Sequence, residues 1–380
     1  MTRTKENDLF YLPAEWALQS GIQLTWPHDR TDWKPYLKEI TDTFVELARH
    51  IAEDEKVLVV TPHVESVRQL LKERLGQKLI GNILFYSCDT NDTWARDHGF
   101  LTLLPQSNRP VKASVPANTE TSYSPEQDNK GRQPAGLLLD FHFNGWGEKF
   151  PSNLDDRINR SLYEQGAFNG EREDHENFVL EGGSIESDGE GTLFTTTHCL
   201  MAPHRNQPLT KEEIESKLKF VFRARRMIWL EHGLLEGDDT DGHIDTIVRT
   251  APNDTLLYMG CQDEKDSQYE DFKLLEQQLQ SLRTLNGTPY QLLELPMPDP
   301  IYEDGERLPA TYANFVITNH AILYPTYHQA EKDRSSGKIL SKAFPDKRII
   351  GIDARTVIRQ HGSLHCLTMQ FPTGIIRNKN

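Results

Sequence analysis

The chain has 380 residues, 37% of them hydrophobic and 26% charged, a balance that suits a folded globular protein and excludes collagen-like or wholly disordered chains. Forty-two Lys and Arg against 57 Asp and Glu leave a net charge of −15, too little clustered positive charge for nucleic acid or an anionic membrane. No apolar run approaches the ~20 residues of a membrane span, and no basic start with an apolar stretch opens the chain, so a cytosolic protein is expected.

In chain order, apolar residues at Leu37, Ile40, Phe44, Leu47 and Ile51 predict one face of a helix. Val57 to Val60 predicts a short buried strand, Val64 to Leu75 a second helix and Asn82 to Tyr86 another strand. Pro105 to Pro134 is rich in Ser, Asn, Pro, Gln and Gly and predicts a polar loop insertion. Thr192 to Thr195 follows as a strand, and Thr210 with Glu213 spells a capping box opening a helix toward Phe222. Arg223, Arg225 and Arg226 end that helix, where they suit its dipole and are read as structural. The alternation continues through strand Thr255 to Tyr258, helix Tyr269 to Leu282 and strands at Gln291 to Leu295 and Phe315 to Ile317. It closes with a helix near Ile339, a strand from Arg348 to Ile352 and a last strand around Cys366. With no long linker, this predicts an α/β or α+β protein, one domain over residues 1–380. A faint echo between His198-Cys199-Leu200 and His365-Cys366-Leu367 would suit a degenerate repeat.

The sequence has no P-loop, GxGxxG, GxSxG or HExxH, which removes the usual entry to nucleotide, dinucleotide, α/β-hydrolase and zincin chemistry. Cys88, Cys199, Cys261 and Cys366 are widely spaced without CxxC, so neither a disulfide framework nor a zinc knuckle is indicated. Four Asp and one His fall between Asp238 and Asp245, and His243 and Asp245 would share a side if that segment were extended. No second such pair completes a metal site, and none is expected. The other option joins a thiol to His243: a thiolate is a strong nucleophile when a His or positive charge supports it. Cys366 and Cys199 each follow a His and have equal claims on local sequence. Asp97, Glu181 and Asp245 sit beside Gly or at predicted strand edges. Acids around a thiol raise its pKa, a hindrance that a cationic substrate would reverse. A guanidinium, with its planar fork of donors, matches paired carboxylates.

Several motifs taken together resemble the agmatine deiminase family, grouped with bacterial-type peptidyl-arginine deiminases among the guanidine-modifying enzymes. They are Leu12-Pro13-Ala14-Glu15-Trp16 with Thr25-Trp26-Pro27, Asn91-Asp92-Thr93-Trp94-Ala95-Arg96-Asp97, Phe143-Asn144-Gly145-Trp146-Gly147 and Glu181-Gly182-Gly183-Ser184-Ile185. Gly237 to Asp245, Leu308 to Phe315, Gly351 to Arg355 and Leu364-His365-Cys366 complete the series. The resemblance implies a fivefold pseudo-symmetric α/β-propeller (pentein) of ββαβ-type modules with an axial active site. It implies Cys366 as nucleophile, Cys199 as a structural position and His243 as general acid/base. Asp97 and Asp245 would clamp the guanidinium, Glu181 would hold His243 or the substrate nitrogens, and Trp94 would pack on the substrate's aliphatic chain. No metal or organic cofactor is implied, and the partner is a cationic guanidinium small molecule; assembly into a homo-oligomer is compatible with the sequence.

The stretch Arg359-Gln360-His361-Gly362-Ser363-Leu364 departs from the family's glycine run before the Cys, and His98 replaces an expected Gly-Pro start. Those departures bear on the far end of the substrate. An amine, as in agmatine, calls for an acid such as Asp239; the α-carboxylate of free or peptidyl arginine calls for a cation such as Arg359. Amidino transfer, a non-catalytic propeller and a metal-dependent hydrolase complete the alternatives.

Overall fold

The computed structural model describes residues 9–109 and 134–377. The architecture is α/β, and five of its sheets repeat one pattern. Each has a central strand, a parallel neighbour reached through a helix, and a short antiparallel neighbour on the other side. The central strands are Gln19–Thr25, Leu137–His142, Thr192–Thr196, Thr255–Gly260 and Ala321–Thr326, which define modules one to five. Helices Leu37–Asp54, Ile158–Glu164, Lys211–Val221, Tyr269–Ser281 and Ala330–Ala343 carry the chain over, as a parallel connection requires. The parallel strands reached are Lys56–Thr61, Glu171–Val179, Arg226–Leu230, Gln291–Pro296 and Arg348–Asp353. The antiparallel strands are Thr368–Pro372, Leu101–Pro105, Glu186–Ser187, Val248–Ala251 and Val316–Ile317. Module one thus takes its antiparallel strand from the far end of the chain, joining early and late residues in one sheet.

Local sequence explains most of these elements. Leu37–Asp54 buries Ile40, Phe44, Leu47 and Ile51 along one face, each large side chain contributing roughly 1.5–3 kcal/mol by leaving water. Thr210 and Glu213 form both halves of the capping box that opens Lys211–Val221. The basic cluster is structural: Arg223 pairs with Glu173, Arg225 binds the Glu190 carbonyl, and Arg226 binds Tyr290 and the Arg283 carbonyl.

The structure adds one strand and changes two expectations. Glu171–Val179 reads EREDHENFV, with no apolar alternation to signal a strand; pairing to Leu137–His142 and an Arg172–Asp140 ion pair hold it. The closing strand starts at Thr368, leaving Cys366 in the turn before it. Ile244–Thr246 is a 3-10 turn, so His243 and Asp245 are not set side by side by an extended strand. Pro105 ends a strand; of the polar insertion expected over Pro105 to Pro134, residues 110–133 lie outside the described residues. Among the described residues no helix is long and apolar enough to cross a membrane.

Candidate active site

A short turn precedes the antiparallel strand of every module, and the chemistry-bearing side chains occupy those turns. Asp97 lies in Ala95–His98, ahead of Leu101–Pro105; Glu181 and Gly183 lie at the turn ahead of Glu186–Ser187. His243 and Asp245 precede Val248–Ala251, Asn314 precedes Val316–Ile317, and Cys366 precedes Thr368–Pro372. Residues far apart in sequence therefore meet through equivalent positions of five modules.

The distances establish the meeting. Cys366 Sγ lies 3.4 Å from Asn314 Oδ1 and 3.9 Å from Asp245 Oδ2. Asn314 Oδ1 also accepts the backbone N–H of His365 and of Cys366, which fixes the turn that carries the thiol. His243 Nδ1 lies 3.6 Å from Asp97 Oδ1. Asp97 in turn accepts the Gly183 amide at 3.0 Å and the Trp146 indole at 3.1 Å. Glu181 accepts Arg205 Nε at 2.9 Å, and Arg205 also binds Asp241 and the Thr240 carbonyl. A Cβ on Gly183 would stand 2.5 Å from His243 Nδ1, 2.9 Å from Asp97 Oδ1 and 3.2 Å from Asp245 Oδ2. Those three groups border one small space that only a glycine leaves open.

Cys366 and Asp97 border a cavity of about 570 Å³. Trp94 and Trp146 form its aromatic wall, and Asp239 also lines it. Of the residues expected to face the substrate, Trp94, Asp97 and Asp239 thus share this cavity, whereas Asp245 and Glu181 are not among its lining residues. Arg359 is not: it is bound to Glu303 and stacked on Tyr36, 3.6 Å from the ring centre. His98 is packing, buried with Nε2 on Thr25 and its pKa pushed down to about 3 by burial.

Burial and neighbours set the charge states. Burial, with Asp245 and Asp97 close by, pushes the Cys366 thiol well above its ordinary value. Burial opposes a charged His243, yet Asp97, Cys199 and Glu181 outweigh it and hold the imidazole well above its usual pKa. Asp97 rises to about 6, mainly from desolvation that His243 offsets only in part. Asp245 is equally buried, but the His365 hydrogen bond reverses the desolvation and its pKa falls below the ordinary value. Asp245 Oδ1, Glu181 Oε2 and both His243 nitrogens are buried without a hydrogen-bond partner. Unpaired buried polar atoms are costly, and the two carboxylate oxygens, on Asp245 and Glu181, mark a place for a ligand rich in donors.

Glu181, Cys199 and His243 offer donor atoms within 4.8 Å of one another. Arg205 already bonds Glu181 there, so a dication would stand against a guanidinium. In the second such group, His28, Asp29 and His63, both His28 nitrogens are engaged by Thr90 and the Arg30 amide. Cys199 sits in helix Thr197–Leu200, after a central strand, whereas Cys366 precedes an antiparallel one. The two His-Cys-Leu segments are therefore not equivalent positions of a repeat.

Sequence reasoning gave no role to Asn314, Trp146, His365 or Glu15, although each stands in a quoted motif; Arg205 carried no signal at all. The arrangement gathers a buried thiol, an imidazole and buried carboxylates from the turns of several modules. The family model of Porphyromonas-type peptidyl-arginine deiminases matches residues 11–372, and the chain belongs to that family. It is 32% identical to a Marinomonas sp. (strain MWYL1) protein named "Putative agmatine deiminase", over 96% of this chain and 95% of the relative. Among solved structures it resembles the "Putative Arginine Deiminase" of Porphyromonas gingivalis, at 41% identity and TM-score 0.85, covering 97% and 100% of the two chains. It also resembles a cysteine-to-serine variant of C. jejuni agmatine deiminase with substrate bound, at 37% identity and TM-score 0.81, covering 97% and 98%.

Proposed function

We propose that the protein is an agmatine deiminase, a hydrolase that converts the guanidinium of agmatine to N-carbamoylputrescine and ammonia. The observation that carries this reading is the meeting of His243, Asp97 and Asp245 beside Gly183, with Cys366 on Asp245, two unpartnered carboxylate oxygens on Asp245 and Glu181, and a cavity that Cys366 and Asp97 border. The five modules are read as blades of a fivefold pseudo-symmetric α/β-propeller forming a single catalytic domain. Their repeated strand order, and the shared sheet of early and late strands, support that reading.

In this mechanism Asp97 and Asp245 bind the guanidinium nitrogens, which aligns a resonance-stabilised and poor electrophile. The cation's arrival lowers the cost of the thiolate that the acids had imposed. Cys366 attacks the central carbon, forming a C–S bond and a tetrahedral adduct. His243 gives a proton to the departing nitrogen, ammonia leaves, and an S-alkylthiouronium remains. His243 then takes a proton from water, whose oxygen attacks the same carbon; the C–S bond breaks and the ureido product departs. Glu181, anchored by Arg205, holds His243 or a substrate nitrogen, and Trp94 covers the aliphatic chain.

The acids of the cavity favour an amine. Asp32, Asp92, Asp97, Asp155 and Asp239 line it against a single Arg30, itself 3.5 Å from Asp89. Arg359, the cation that a carboxylate would need, is held elsewhere by Glu303. Deimination of free or peptidyl arginine is the second reading, favoured by Arg30 on the cavity wall and by the names of the matching family model and of the P. gingivalis structure. Four free cysteines accord with a reducing, cytosolic setting.

Ammonia and ureido product are to be measured with agmatine, arginine and an arginyl peptide, EDTA present, beside a Cys366→Ala control. Agmatine turnover that vanishes in the control is expected. Preference for arginine or peptide installs the second reading, and silence on all three overturns both.

A further inference from the structure

Asp245 is backed by a buried ionic ladder that no step above uses. Its Oδ2 accepts His365 Nδ1 at 2.7 Å. On the other side of that ring, Nε2 lies 3.0 and 3.1 Å from the two Glu15 oxygens. Arg249 Nη2 lies 2.6 Å from Glu15 and 3.2 Å from His365 Nε2, and Arg96 lies 3.8 Å from Glu15. Asp245, His365, Arg249 and Arg96 are buried, and the Glu15 side chain is 9% exposed.

We propose that His365 is a positioning residue, gripped by Glu15 at one ring nitrogen and donating from the other to Asp245, so that this carboxylate is ionised and oriented before a guanidinium arrives. The inference rests on the guanidinium reading above and names the group that readies half of its clamp. An ionised carboxylate oxygen carries no proton, so Nδ1 must be the donor. The partner at Nε2 then decides how rigidly the ring is held, as an outer carboxylate does for a ligating histidine.

The surroundings leave His365 little competition. Asp245 faces Cys366 from the same turn as His365, His243 two residues earlier, and Arg249 on the following strand. Arg96 and Asp97 face it from the turn before module two. Arg249 is committed to Glu186, Glu15 and the carbonyls of Ala313 and Phe315, and Arg96 to Glu15. Among the described residues His365 is the one nitrogen donor on the Asp245 side chain. The contrast with Asp97, equally buried and lacking such a donor, shows what its removal would do.

The test compares alkylation of Cys366 by chloroacetamidine, which carries an amidinium, and by neutral chloroacetamide across pH. In either reaction a C–S bond forms, chloride leaves and the thiol proton passes to solvent. Wild type should prefer the amidinium reagent. His365→Leu should cut that preference by about 10–100-fold and move the acidic limb of the rate to higher pH. His365→Asn places an amide N–H near the lost Nδ1–H and should restore much of the preference. Glu15→Gln keeps the ring, removes its brace, and should shift the limb the same way by less, so the proposal remains open to test if His365→Leu fails to fold. Equal losses in the Leu and Asn variants, with preference and limb unmoved, would reduce His365 to packing and overturn the proposal. No amidinium preference in wild type would overturn the guanidinium reading itself, and this inference with it.

Discussion

Asp97 and Asp245 border the same space beside Gly183, are both buried, and are held by different means. Asp97 rests on a backbone amide and an indole, both neutral, and its pKa stays up at about 6. Asp245 rests on His365 and, behind it, on Glu15 and Arg249, and its pKa falls below the ordinary carboxylate value. Neutral donors soften desolvation, whereas an ionic ladder reverses it. A clamp built this way has one acid fixed as an anion and another poised near neutrality. The fixed acid draws in a cation, and the poised one can follow the charge of His243, 3.6 Å away.

The severest way to break this comparison strikes both acids at once. Gly183→Ala places a methyl 2.5 Å from His243 Nδ1, 2.9 Å from Asp97 and 3.2 Å from Asp245. Gly183 has no left-handed backbone, so alanine fits the chain but not the space. Displacing three reacting groups should cost on the order of 10³-fold or more in kcat/KM, with circular dichroism unchanged. Near-normal turnover would separate the three groups functionally and end the idea of a shared clamp.

Arg205→Met tests the ionic principle at Glu181. It strips the Arg205 guanidinium from Glu181, a fully buried carboxylate with no other ion-pair partner among the described residues. Breaking a buried pair from one side costs about 3–5 kcal/mol, which urea denaturation would read. A loss below about 1 kcal/mol would mean that Glu181 takes up a proton or water instead.

How much of this was readable beforehand differs by level. Helices announced themselves because Leu37, Ile40, Phe44, Leu47 and Ile51 keep helical spacing. Glu171–Val179 did not, since a strand lined with Glu, Arg and Asp is held by its neighbour and an ion pair rather than by apolar alternation. Cys366, His243, Asp97, Asp245 and Glu181 were nameable by chemistry and resemblance. Their partners were not: Trp146 reaches Asp97 across 49 positions, Asn314 reaches Cys366 across 52, and Arg205 reaches Glu181 across 24. A hydrogen bond between turns of different modules leaves no periodicity in the chain. Local sequence likewise left Cys199 and Cys366 tied; the family resemblance favoured Cys366, and the structure sets Cys199 after a central strand and Cys366 before an antiparallel one.

The pH profile sharpens the comparison further. Asp97 must lose its proton to bind a guanidinium, so kcat/KM should rise as pH climbs through about 6. Asp245 has a folded pKa below its unfolded one, so its stabilising contribution is complete above the ordinary Asp value and is lost only as pH falls through the lower folded value. Asp97, with a raised folded pKa, loses no stability on protonation. Near about pH 5 activity should therefore be reduced while thermal melts are still close to their neutral values. Activity and melting temperature falling together would assign the limb to unfolding.

The smallest and most selective change is Trp146→Phe. It removes the indole N–H from Asp97 Oδ2 while keeping an aromatic ring against Phe143, Phe150 and Trp94. A hydrogen bond to a charged group is worth about 1.5–3 kcal/mol, but Asp97 keeps the Gly183 amide, which shares the load. The acidic limb should move upward from about 6 by roughly one pH unit. At neutral pH, where about half of Asp97 then remains ionised, kcat/KM should fall by less than about tenfold. Asp245 has no contact with the indole, so the amidinium preference measured well above the limb should be unchanged. If the limb stays in place, the titrating group is not Asp97 and the poised half of the clamp must be sought in another acid of the cavity; if the preference falls as well, the two carboxylates are coupled through the substrate rather than tuned independently by their backing.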